Sequence, residues 1–353
     1  MLKGPTNRMT VGRKFFFAAI LAASAFASTA GAQTGSGLSV EAQCDAAAGS
    51  RYDRTRNTDF APVEADDIRL GVALSACREA FNAGGNARMA FQLARALEKA
   101  GQDLEALKLY GEAVKRGHTV AMVNYGALLG ARGDAASEFG FYKKAAEAGD
   151  LLGAYNLGVA YRDGIGTEID GAEAARWFEK AAADGDETAA FNLGVLLDDG
   201  SLVKEDNARA AAYYRLAAGR GNVDAMINLG LMLESAEGVP QDLSGAARMF
   251  SLAAAKGDSY GTFKLGLMQQ NGTGIVRNIE DAVQSLVAAF ELKDVDLEVL
   301  LRDRPSDLSA EARIAIKQVL AERKLIAEAD NAEIDPITLG AIEKHYGTET
   351  AQK

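Results

Sequence analysis

The side chains able to do chemistry are few and badly placed for it. The histidines are His118 and His345, and the only thiols are Cys44 and Cys77. Acyl or glycosyl transfer needs a nucleophile or acid, a base and a group that orients the base, and neither histidine sits in such a motif. The serines lack a Ser-x-x-Lys set with supporting elements, and no His-Glu-x-x-His stretch occurs. Glycine-rich stretches are present, but no lysine-threonine follows them to hold a nucleotide. Two cysteines and two histidines are a thin ligand supply for zinc. The acids fall mostly at expected helix starts and ends, where capping and dipole roles account for them. The chain reads as a non-enzyme with no cofactor.

What recurs instead is an amide. Gln92, Asn124, Asn156, Asn192, Asn228 and Lys264 occupy one column of a regular pattern. A ladder of amides offers donors and an acceptor at every step, which suits reading the backbone of an extended peptide. The same side chains are equally able to bond their own repeat's backbone and meet no ligand.

The pattern that positions this column has a period of 36. Gly149, Gly185, Gly221 and Gly257 align, and so do Gly158, Gly194, Gly230 and Gly266. Two independent columns at one period mark a repeat architecture. Ala154–Gly158, Ala190–Gly194 and Ala225–Gly230 carry one helical face, the first helix of each pair. Trp177 with Ala181-Ala182, Tyr213 with Ala217-Ala218, Met249 with Ala253-Ala254 and Ser285 with Ala288-Ala289 mark the second, which packs antiparallel. Gly164-Ile165-Gly166 and Gly272-Thr273-Gly274 supply the positive φ for the turn, and Gly200 and Gly238 keep half of it. Asp170, Asp206, Asp242 and Asn278 recur where the second helix must be capped.

This unit resembles the Sel1-like repeat. The match is fullest in Leu157-Gly158, Tyr161, Gly164-Ile165-Gly166, Asp170, Ala174, Trp177, Lys180-Ala181-Ala182 and Gly185. Two shorter units precede it, with Gly85, Gly117 and Gly149 spaced by 32, closer to the related tetratricopeptide repeat. The resemblance implies an all-α, right-handed superhelical solenoid of about six helix pairs over residues 86–294. It also implies a scaffold that binds a protein or peptide in its concave groove, lined by the first helices. Some cysteine-rich Sel1 proteins bind or hydrolyse β-lactams; those carry a disulfide in each repeat and this chain has none within its repeats, so a β-lactam-binding or hydrolysing protein stands as the second alternative, after cell-wall anchoring.

The ends differ from the middle. Residues 1–32 join Lys3, Arg8, Arg13 and Lys14 to an apolar run and Ala30-Gly31-Ala32, the layout of a cleaved signal peptide. Its removal makes a chain of net charge −11 more acidic still. A periplasmic protein is expected, with nucleic acid excluded as a partner by charge and no stable membrane insertion after cleavage. In an exported chain, Cys44 and Cys77 predict one disulfide, within an N-terminal capping module at 33–85 that includes a helix from Asp66 to Phe81. A linker at 295–308 leads to a helical segment at 309–353, with a helix from Ser309 to Ala329. Ile334-Asp335, Pro336 and Thr338 there resemble a degraded peptidoglycan-binding domain. That resemblance keeps cell-wall anchoring as an alternative to a cap on the last repeat.

Overall fold

The computed structural model describes residues 37–292, 305–327 and 331–346. The expected signal peptide and most of the expected linker lie outside them. From Ser39 onward the chain forms one compact unit. Among the described residues all regular structure is helical: sixteen α-helices and one 3₁₀ turn.

Six helix pairs follow one another as the period predicts. They are α3 (Ala87–Lys99) with α4 (Asp103–Lys115), α5 (Thr119–Ala131) with α6 (Ala135–Glu147), and α7 (Leu151–Asp163) with α8 (Gly171–Ala183). Then come α9 (Glu187–Asp199) with α10 (Asn207–Gly219), α11 (Val223–Ser235) with α12 (Leu243–Ala255), and α13 (Ser259–Asn271) with α14 (Ile279–Glu291). Asp170, Asp206, Asp242 and Asn278 each accept backbone N–H bonds at the start of a second helix. The first helices are capped too, by Asp150, Asp186, Asn222 and Asp258, with His118 in the same place on α5.

The glycine column at 158, 194, 230 and 266 is explained by what crosses it. A Cβ on Gly158 would lie 2.7 Å from the Phe178 ring, and one on Gly194 2.7 Å from Tyr214. Gly230 and Gly266 meet Phe250 and Leu286 at 2.8 Å. Each pair thus closes by seating one fully buried large side chain of the second helix on a bare stretch of the first. These residues sit one position after Trp177, Tyr213, Met249 and Ser285, the column singled out from sequence. Tyr213 and Met249 are only half-buried.

The loops lock neighbouring pairs. Gly164, Gly200 and Gly272 end their helices in the left-handed region, as does Ala236, at φ 62°. Gly166, Gly238 and Gly274 lie so close to Ala135, Asn207 and Leu243, at the start of the preceding pair's second helix, that a Cβ would strike backbone. In the pair α9/α10 the loop has Leu202 instead of glycine. The glycine has moved across the contact to Gly171 on α8, which faces the Leu202 backbone.

Both ends are covered. In front, α1 (Val40–Ala48) and α2 (Leu70–Asn82) are joined by the Cys44–Cys77 disulfide, with Cα atoms 4.6 Å apart. Helix α2 starts at Leu70, later than expected, because Asp66 and Asp67 lie in a turn that buries Ile68. Behind, α15 (Ala310–Glu322) buries Ile316 and Leu320 with Phe263, Leu286 and Phe290 of the last pair. Helix α15 stops before the predicted Ala329, since Lys324 turns left-handed at φ 61°. A final helix, α16 (Pro336–Tyr346), follows.

Candidate binding groove

The column predicted to line a groove divides into members with different surroundings. Gln92 is fully buried and donates from Nε2 to Asp45 Oδ1 at 2.9 Å. It holds α1 against α3 and lines no surface, a correction to the sequence reading. The covering module that buries it is what sequence periodicity did not reveal. Asn124 is half-buried and donates to the Tyr110 hydroxyl at 3.0 Å. Asn156 and Asn192 donate to the carbonyls of Leu152 and Thr188, each one turn back and each at 2.9 Å. Asn192 Oδ1 also accepts from Arg162 at 2.5 Å. Asn228 is half-buried at the equivalent place. Lys264 is paired with Glu234 at 2.6 Å and lies over the Phe250 ring.

The amides of Asn156 and Asn192 are therefore held in place by the backbone through one N–H, and Asn192 is tied further by a side-chain hydrogen bond with Tyr155. Beside them, one turn toward each helix C-terminus, runs Val159, Val195, Leu231 and Leu267. This apolar row is partly exposed, Val195 by 38%. A partly open aliphatic row next to an ordered amide row is the face that an extended chain needs: side-chain contact from one, backbone contact from the other. This row is not legible in the sequence, because leucine and valine in a helix read first as core.

Charge is sorted across the helix layer. Helices α9 and α11 carry Glu187, Asp198, Asp199, Asp224 and Glu234 and no cation, whereas α10 and α12 carry Arg209, Arg215 and Arg248 and no acid. Burial, assisted by nearby Asp258, lifts the Asp224 carboxyl above the ordinary range.

At the far end, Gln270 has a role that the repeat pattern does not signal. It occupies the position of Arg162, Asp198 and Glu234 in the preceding pairs. It is 1% exposed, and its amide grips the returning chain: Nε2 donates to the Asp307 carbonyl at 2.5 Å and Oε1 accepts from the Ser309 N–H at 3.1 Å. Leu308, between these two contacts, is buried in the core shared with Phe263 and Phe290. This clamp ends the array. A cavity of about 400 Å³ lies beside it, between Lys264 and Leu267 on one side and Ser306 and Asp307 on the other.

The buried pair of His118 and Asp53 is structural. His118 Nδ1 accepts the Ala121 N–H, Nε2 lies 3.3 Å from Asp53, and the ring stacks on Phe91 at 4.6 Å. Bonds from His118 and Thr55 hold the Asp53 carboxyl below its ordinary range despite its burial. The pair ties the N-terminal loop to the start of α5, and the hydroxyl bonded to Asp53, that of Thr55, is an anchor of the loop. Among the described residues no group of three or more His, Cys, Asp or Glu is arranged to hold a metal ion. No described helix is long and apolar enough to cross a membrane.

The fold and this face define a solenoid of helix pairs with a repetitive surface along the first helices. The Sel1 repeat profile matches residues 139–150, 151–186, 188–222, 223–258 and 259–284, so this stretch of the chain is a run of Sel1 repeats. Among solved structures it is similar to a protective antigen of uropathogenic Escherichia coli displaying an SLR fold, at 23% identity and a TM-score of 0.61. That similarity covers 77% of this chain and 55% of the antigen, so the chain spans about half of that relative's length. A Sel1 repeat protein from Oxalobacter formigenes is similar at 24% identity and a TM-score of 0.57, over 67% of this chain and 71% of that one. At these identities the likeness speaks for the fold alone. No curated protein matches the chain.

Proposed function

We propose that this protein is a non-catalytic scaffold of the bacterial envelope that binds a protein or peptide segment along the inner helices of its Sel1 repeats. The observation that carries this reading is the pair of parallel rows on α7, α9, α11 and α13. One row is apolar and partly open; the other is formed by Asn156, Asn192 and Asn228 with Lys264 at its end. Repeats with one residue type at one position present the same contact again and again, which matches the regular spacing of an extended backbone better than a compact small molecule. Export rests on the N-terminal sequence and is favoured by the disulfide, which persists in an oxidising compartment. Cell-wall anchoring has less behind it, since α15 spends its apolar face on the last repeat. A β-lactam enzyme has less again, because the disulfide lies in the capping module and none lies within the described repeats.

The test is replacement of Asn156, Asn192 and Asn228 together by alanine, with partner capture and helical melting measured on the same material. Capture falls at least tenfold while the melting temperature drops by only a few degrees. Capture that survives intact at normal affinity removes the amide row from the interface.

A further inference from the structure

The members of the amide row are not equivalent, because the protein itself engages some of them and leaves others alone. Asn192 is fully occupied: Nδ2 donates to the Thr188 carbonyl at 2.9 Å, a further hydrogen bond joins the amide to the Tyr155 hydroxyl, and Oδ1 accepts from Arg162 at 2.5 Å. Lys264 is held by Glu234, and Asn124 by Tyr110. Asn156 differs. Its one hydrogen bond among the described residues runs to the Leu152 carbonyl, so an N–H and Oδ1 remain unpaired. Asn228 makes none among the described residues. Both are half-buried, and neither has an unpaired atom shut away from solvent. From α7 to α13 the row therefore alternates: open at 156, engaged at 192, open at 228, engaged at 264.

The alternation has a cause in the second helices. Arg162 reaches Asn192, and Glu234 reaches Lys264, across the same step of 30 residues. Before Asn228 the matching residue is Asp198, which accepts the Tyr214 hydroxyl at 3.3 Å. Before Asn156 it is Gly130, whose side-chain space is filled by the Glu138 carboxylate, and Glu138 accepts the Tyr142 hydroxyl at 2.7 Å. Tyr142, Phe178, Tyr214 and Phe250 hold one position on α6, α8, α10 and α12. Where that position is tyrosine, its hydroxyl engages the neighbouring acid; where it is phenylalanine, the charged side chain reaches across to the row. In the shorter first pair the Tyr110 hydroxyl meets both Glu98 and Asn124, which draws Asn124 in as well.

We infer that the partner's polar contacts in the groove are made by Asn156 and Asn228, while Asn192 serves the fold. This rests on the groove reading and narrows it. A ligand gains little from an amide whose internal bonds must first be broken, whereas an open amide exchanges only water for the new bond. Two repeat steps separate Asn156 from Asn228, roughly 16–20 Å at the usual spacing of packed helices. An extended chain covers that in about five or six residues, and a separation of about six returns to the same side of the chain. The segment that fits is an extended one offering a peptide group, or a side-chain amide, at two points on one side about six residues apart.

Two measurements on the full chain test this. In protein labelled with ¹⁵N-asparagine, and assigned through single alanine variants, the Asn192 side-chain NH₂ exchanges with solvent at least tenfold more slowly than that of Asn228. Equal rates overturn the inference whether or not a partner is found. The second uses a photo-activated crosslinking side chain at Val195 in cells that make the protein. Asn156→Ala with Asn228→Ala removes the adduct and leaves the melting temperature unchanged. Asn192→Ala lowers the melting temperature and keeps the adduct. An adduct that survives the double replacement, or that Asn192→Ala alone removes as completely, overturns the inference. If the triple replacement abolishes the adduct and the double one does not, the groove reading stands and only this assignment falls; if the unaltered row yields no adduct, both fall.

Discussion

At the scale of single residues, helix caps show how one position can serve with or without charge. Asp186 accepts the Ala189 N–H at 2.7 Å, yet burial lifts its carboxyl above the ordinary carboxylate range, with Glu187 adding to the rise. Because the folded state holds that proton more tightly, its contribution is fully present below the ordinary carboxylate pKa and is lost as pH rises through the raised value. Asn222 fills the same cap in the next pair with no charge at all. Asp186→Asn is therefore expected to raise the melting temperature near neutral pH, by an amount that shrinks as the pH falls into the carboxylate range. A difference that stays constant over that range in a melting series would remove burial of the charge as the cause. The caps of the second helices were readable from sequence, since a short oxygen-bearing side chain recurs at one spacing. The role of His118 was not, because a histidine cap depends on Asp53 arriving from a distant loop.

At the scale of elements, the junction between pairs is set by one glycine on one side or the other of each contact. Gly166, Gly238 and Gly274 supply it from the loop; Gly171 supplies it from the helix opposite Leu202. Gly171→Ala should cost roughly 1–3 kcal/mol in denaturant unfolding, because the new methyl meets backbone that cannot step aside. Combined with Leu202→Gly the cost should shrink, since the loop then regains the freedom that the other junctions use. If the two costs simply add, the sites are independent and the exchange across the junction is coincidental. The 36-residue period made the pairs legible, and the glycines marked the turns. It did not show which glycine faces which chain, because that depends on packing between units 30 or more residues apart. The seated column lies one residue beyond the Trp177 and Tyr213 column that the sequence suggests, for a similar reason: Phe178 and Tyr214 sit over Gly158 and Gly194.

At the scale of the whole molecule, an open solenoid needs its two end faces closed. The front is closed by α1 and α2, fastened by the disulfide and by Arg95, which donates to the carbonyls of Ala48 and Val63 at 2.6 and 2.8 Å. Since the bridge joins residues 33 apart, its loss as Cys44→Ser with Cys77→Ser is expected to cost about 3–4 kcal/mol. Hydrogen exchange should place the loosening in α1 and α2 and leave α9 to α14 protected. Uniform loosening along the array would mean that the cap governs the whole stack. The disulfide could be read from an even cysteine count in an expectedly exported chain, whereas the Gln270 clamp on Asp307 and Ser309 could not, as it joins a repeat to sequence outside the period.

The central claim is that a partner lies along the inner helices. It is tested most directly by placing a photo-activated crosslinking side chain at Val195, on the inner row, and separately at Ser251, on the outer face of α12, in cells that make the protein. The account predicts one discrete adduct with a second protein from Val195, lost when Asn156, Asn192 and Asn228 are replaced, and no such adduct from Ser251. An adduct with the same protein from Ser251 alone would contradict it and move the binding surface to the other side of the molecule.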